Sequence, residues 1–134
     1  MGLREKRLAE ELKTKDVAES VAAIKKASGS DIALDINWDT FIAYDEYPLT
    51  RMQSSVLPSI VSAIEGLCVD QMGKDALAKR VKKITVTNLN PDEDFSKVVT
   101  KLNDSSLDIT VSLAGGTYSC PDQYSIQRYL EDSL

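Results

Sequence analysis

Between Ser54 and Asp70 the apolar residues Val56, Leu57, Ile60, Val61, Ile64, Leu67 and Cys68 recur at spacings of one, three and four. That spacing gathers them on one stripe of an α-helix, and a stripe that wide needs a sheet to cover. Ser54 or Ser55 supplies an N-cap, and Pro58 falls in the expected first turn, where its missing amide costs little.

Upstream, Leu8, Leu12, Val17, Val21 and Ile24 fall near a common face, Ala18, Ala22 and Ala23 favour helix, and Gly29 stops it. The pattern predicts helix over 3–27, either whole or divided in two at Thr14-Lys15-Asp16. Residues 1–13 are mostly charged and read as a peripheral helix that meets solvent or a partner.

From Asp31 to Phe41 the period changes to two. Ile32, Leu34, Ile36 and Trp38 point one way, and Asp31, Ala33, Asp35, Asn37 and Asp39 the other. This predicts a strand with Trp38 in the core, followed by a connection over 44–51. A further helix is expected over 74–81, and the β-branched run Ile84 to Leu89 reads as a strand that ends before Asn90-Pro91. Val98 to Leu102 and Leu107 to Leu113 alternate on either side of Asn103-Asp104-Ser105-Ser106, which predicts a hairpin. Gly115-Gly116 ends it, and Ile126, Tyr129, Leu130 and Leu134 mark one face of a closing helix entered at Ser119 to Asp122.

The expected order is α-β-α-β-β-β-α in one α+β domain spanning 1–134. Three consecutive strands, at least two of them a hairpin, point to a two-layer fold: a mainly antiparallel four-stranded sheet with helices packed on one face. The uncovered face would then display Asp31, Asp35, Asn37, Asp39, Thr85, Thr87, Lys101, Asp108, Thr110 and Ser112.

Composition narrows the chemistry. The 134 residues carry a net charge of −5 and no histidine. Without histidine there is no Ser-His-acid or Cys-His nucleophile, no HExxH metalloprotease and no His-ligated zinc or haem. Two cysteines are too few for structural zinc or an iron–sulfur cluster, and Cys68 reads as a core residue, Cys120 as a loop thiol. Basic charge concentrates only in Lys74 to Lys83, which contains no aromatic residue, so no nucleic-acid partner is expected. No apolar run is long enough for a bilayer, and if Met1 is the native start the N-terminus lacks a secretory core, so no membrane partner and a cytoplasmic location are expected.

Weak motifs are explained locally. Gly73-Lys74 lacks the remaining residues of a phosphate loop. Asn103-Asp104-Ser105 is turn chemistry that also fits a glycosylation acceptor, and Gly115-Gly116-Thr117 is a strand terminator before it is an anion nest. The stretch Asp35 to Glu46 resembles an EF-hand calcium loop, with oxygen ligands at positions one, three, five and twelve and Ile42 at position eight. Thr40 stands where that loop requires glycine, Gly29-Ser30 and Pro48 break the flanking helices, and no second loop is present.

These observations point to a non-catalytic, acidic protein-interaction or accessory module that engages a protein partner or a second copy, with no cofactor and no metal. The surfaces to watch are Asp35 and Asp39, the tract Asp92-Glu93-Asp94, and the helix from Leu3 to Leu12. The alternative is a small-ligand binder or His-independent enzyme with Trp38, Tyr44 and Tyr47 around a pocket and Asp39 or Asp45 as acid or base. Calcium binding at Asp35 to Glu46 is the second alternative.

Overall fold

A computed structural model describes residues 2–42, 46–89, 97–113 and 119–134. The chain is α+β, with a four-stranded mixed sheet. α1 (Leu3–Glu11) and α2 (Val17–Ser28) run on as one rod, undivided, with a π turn over Leu12–Asp16 at the place where the sequence leaves a division open. There the Val17 N–H reaches back five residues to Leu12 O rather than four. Gly29 ends the rod in the left-handed conformation, φ 73°, where a side chain would be strained.

β1 spans only Ala33–Ile36. The expected strand through Phe41 stops early because α3 (Trp38–Ile42) begins with the Thr40 N–H and hydroxyl both bonded to Asn37 O. That local bonding turns the backbone before the alternating pattern is exhausted. Trp38 is consequently half-buried at a helix start instead of filling the core.

The central helix also begins earlier than its stripe suggests. α4 (Tyr47–Arg51), a π turn over Met52–Val56 and α5 (Leu57–Leu67) form one continuous helix. Pro48 sits at the start, so the expected connection over 44–51 is helical from Tyr47, and Ser54 and Ser55 lie mid-helix rather than at a cap. The π turn ends at Val56, two residues before Pro58. A proline inside a regular helix lacks an amide and presses on the carbonyl four residues back, and the widened turn relieves both conflicts. The stripe does bury: Val56, Leu57, Ile60, Ile64, Leu67 and Cys68 are core residues, with Val61 half-buried at the edge. α5 packs between α2 and α7 (Gln123–Ser133).

α6 (Gln71–Arg80) starts with Asp70 capping the Gly73 amide at 2.9 Å. A Cβ at Gly73 would collide with the Leu67 carbonyl, so glycine permits the tight corner between α5 and α6.

The sheet order is β1-β2-β4-β3, with β2 (Lys83–Asn88), β3 (Thr100–Asn103) and β4 (Ser106–Val111). The expected mainly antiparallel sheet is overturned: β1 and β2 are parallel, β2 and β4 are parallel, and only the β3–β4 hairpin is antiparallel. Burial explains why β2 pairs with β4 and not with β3, the next strand in the chain. Leu107, Ile109 and Val111 make β4 as apolar on its inner face as Ile84 and Val86 make β2, and both strands take the centre. β3, with Lys101 and Asn103 exposed, is left at the edge, where charge is tolerated.

The outer sheet face carries Asp35 and Lys101, exposed, with Thr85, Thr87, Asp108 and Thr110 half-buried. Ser112, expected among them, is buried. Asn37 is exposed just past β1 and Asp39 is exposed on α3, so neither belongs to the strand face. Among the described residues no helix is long and apolar enough to cross a membrane.

Candidate functional site

Parallel strands present their carboxyl ends together, and there the chain turns from β1 into α3. β1 delivers Asp35 and α3 delivers Trp38 and Asp39 to a cavity of about 410 Å³, completed by Ile36, Asn37 and Thr85. Three of the five residues singled out in the sequence are therefore brought together. Tyr47 is not among them. It lines a separate cavity of about 460 Å³ with Arg4, Glu5, Glu46 and Thr50, where the Arg51 guanidinium lies 5.4 Å from its ring and Arg51 Nε donates to its hydroxyl at 3.2 Å. Tyr44 and Asp45 lie outside the described residues, as do Asp92-Glu93-Asp94 and Gly115-Gly116-Thr117.

The electrostatics of the Trp38 cavity are those of a wet surface. Asp35 and Asp39 are exposed, and the Lys13 ammonium sits 5.3 Å from the centre of the indole. A cation over an indole face is attracted by the ring quadrupole. Among the described residues the buried polar side chains are Ser20, Ser28, Asn88 and Ser112, so no carboxylate there has the burial that tunes a general acid or base. No group of three or more acid or thiol side chains converges to hold a metal among the described residues. Asp35 lies in β1, Asn37 between β1 and α3, and Asp39 in α3, so the three do not line one coordinating loop.

Bonded to α3 is a residue the periodic pattern does not reveal. Asn88, 3% exposed at the end of β2, accepts from the Leu113 N–H at 2.8 Å and donates to Thr40 O at 2.9 Å. Its own amide donates to the Thr40 hydroxyl at 3.0 Å. It ties α3, β2 and the continuation of β4 together and fixes the wall from which Trp38 and Asp39 project. An asparagine at an inward strand position is the signal that marks it in the sequence.

A second site arises where the two π turns face each other. Gln53 Nε2 donates to Asp16 Oδ2 at 3.1 Å, and a cavity of about 320 Å³ opens beside them, lined in part by Glu19, Ser20, Pro58 and Val61. A third is an apolar corner. Val69 is 79% exposed and Met72 80% exposed at the turn between α5 and α6. Together with Leu67, Ala76 and Leu134 they border a cavity of about 290 Å³ whose rim carries Asp70 and Glu131.

The thiols do not add nucleophilic chemistry. Burial raises the Cys68 thiol, against the nearby Lys74 ammonium, and burial with the Asp122 carboxylate pushes Cys120 up to about 12. Both stay protonated at neutral pH, and a protonated thiol is a poor nucleophile. Compared with known proteins, the chain matches no family model, no curated protein and no solved structure.

Proposed function

We propose that this chain is a non-catalytic, acidic protein-interaction or accessory module. The observation that carries the reading is the exposed apolar corner of Val69 and Met72 around the groove bordered by Leu67, Ala76 and Leu134. Exposed apolar side chains gathered around a groove are a recurring feature of contact surfaces, and methionine adapts its shape to a partner. Asp70 and Glu131 on the rim, in a chain of net charge −5, favour a partner that brings an apolar side chain flanked by basic residues.

The test is affinity capture and chemical crosslinking with the wild-type chain and with the double variant V69E/M72E, paired with sedimentation for self-association. Both positions are exposed, so the variant keeps its fold. The expected result is a partner, or a second copy, held by the wild type and lost at least tenfold by the variant. Identical capture by both proteins, or a lone monomer throughout, removes the reading.

A second reading, a small ligand at Trp38, is favoured by the cavity formed with Asp35, Asn37 and Asp39. It requires saturable quenching or enhancement of Trp38 emission by the ligand. The same fluorescence titrated with Ca²⁺ tests the calcium alternative at Asp35 to Glu46, which a flat response rejects.

A further inference from the structure

We propose that the outer edge of β3, with the adjoining face of α7, forms a groove that takes an extended, uncharged peptide segment of a partner protein as a fifth strand. This deepens the interaction reading above and rests on it, but it concerns a different surface from the Val69 and Met72 corner.

The register fixes which backbone groups are free. Thr100 lies opposite Ile109 and Leu102 opposite Leu107, while the Thr110 N–H bonds Val99 O at 3.0 Å. In an antiparallel ladder bonded at Val99, the N–H and C=O groups of Thr100 and Leu102 point away from β4. Leu102 demonstrates it, since its N–H donates to the Tyr129 hydroxyl on α7 at 2.7 Å. Thr100 has no such cap: β3 is the terminal strand, and among the described residues no further strand pairs with it. An unpaired edge is a template for another chain.

A second observation comes from the side chain. The Thr100 Oγ1 is buried without a hydrogen-bond partner, the one such side-chain atom among the described residues. Buried hydroxyls are almost always satisfied, so an orphan at a cavity wall asks for a missing partner. Thr100 borders a cavity of about 460 Å³ whose other walls include Val98, Cys120, Pro121, Ser125 and Tyr129. Ser125 and Tyr129 are four apart on α7, so one helix stripe runs beside the strand edge.

The walls select the occupant. A strand in this groove offers alternating N–H and C=O groups to the outward Thr100 backbone groups, and a turn of the Thr100 side chain brings its buried hydroxyl to the same partner. Its inward side chains meet Val98, Pro121 and the Tyr129 ring, and among the described residues no charged side chain lines the cavity, which favours apolar or small residues. A second copy fits poorly, because pairing through its own β3 would bring its own α7 and Tyr129 into the same space.

The experiment is selection of a displayed library of random twelve-residue peptides on the full chain, followed by titration of the selected synthetic peptide. Expected are protection of the Thr100 amide on binding and at least tenfold weaker binding by Thr100→Pro. That variant removes the outward N–H without removing a bond to β4, and circular dichroism checks that it folds. Thr100→Val, which deletes the orphan hydroxyl at constant shape, should raise the melting temperature and weaken peptide binding. V69E/M72E should bind the peptide as the wild type does. The proposal is overturned if no peptide is selected, if binding survives both Thr100 variants, or if the selected peptide maps to another surface. A dimer that Thr100→Pro dissociates also overturns it, in favour of self-pairing. The corner variants test the broader interaction reading separately, so either can fail alone.

Discussion

At the scale of single residues, a few polar groups decide local geometry that apolar spacing leaves open. Thr40 bonds Asn37 O and β1 ends at Ile36, two residues before Trp38, so a tryptophan with inward strand parity emerges half-buried at a cavity wall. Asn88 has the parity of a core position and fills it with hydrogen bonds in place of methyl groups. Cys120 shows how burial sets chemistry. Its raised thiol keeps its proton in the folded chain where the unfolded chain loses it, so folding gains from Cys120 fully below its ordinary value of 9.0 and loses that gain as pH rises toward about 12. Urea midpoints of wild type and Cys120→Ser, followed from about pH 8 to about pH 10.5, should therefore converge as pH rises. A gap that stays constant over that range contradicts the assignment.

At the scale of elements, both long helices carry a π turn, and the two turns answer different needs. The turn over Met52–Val56 accommodates Pro58, whereas the turn over Leu12–Asp16 precedes no proline and directs Asp16 toward Gln53. A π turn amounts to one extra residue in an α-helix, so removing one residue restores regular bonding while the flanking apolar faces stay aligned. Deleting Ser54 should then press Pro58 into a regular helix at a cost of roughly 3 kcal/mol, largely recovered by adding Pro58→Ala. Deleting exposed Thr14 should cost much less. Equal losses from the two deletions, measured by urea unfolding, would show that proline does not set the second turn.

At the scale of the whole molecule, the fold is a sheet whose two most deeply buried strands, β2 and β4, take the centre. Ile84 and Val86 of β2 and Leu107, Ile109 and Val111 of β4 are 0–1% exposed, and the helices cover that face while threonines and charged residues occupy the other. Native-state hydrogen exchange should be slowest at the amides of β2 and β4. In β3 the bonded Lys101 amide should outlast the outward Thr100 amide by orders of magnitude. Comparable rates at these neighbours would contradict the register of the hairpin.

What the chain determined by itself is whatever depends on nearest neighbours: the stripe from Val56 to Cys68, the hairpin turn at Asp104, the strand from Ile84, the capped helix after Asp122. These follow from periods of 3.6 and 2.0 and from short-range capping, which a linear pattern records. Strand order and direction were decided only in three dimensions, because alternation tells a strand which face to bury and says nothing about which neighbour lies beside it. The same holds for the sites. Asp35, Trp38 and Asp39 meet because they are close in sequence, whereas the Asp16–Gln53 bridge and the groove between Thr100 and Tyr129 join segments far apart, whose contact exists only once the core has closed.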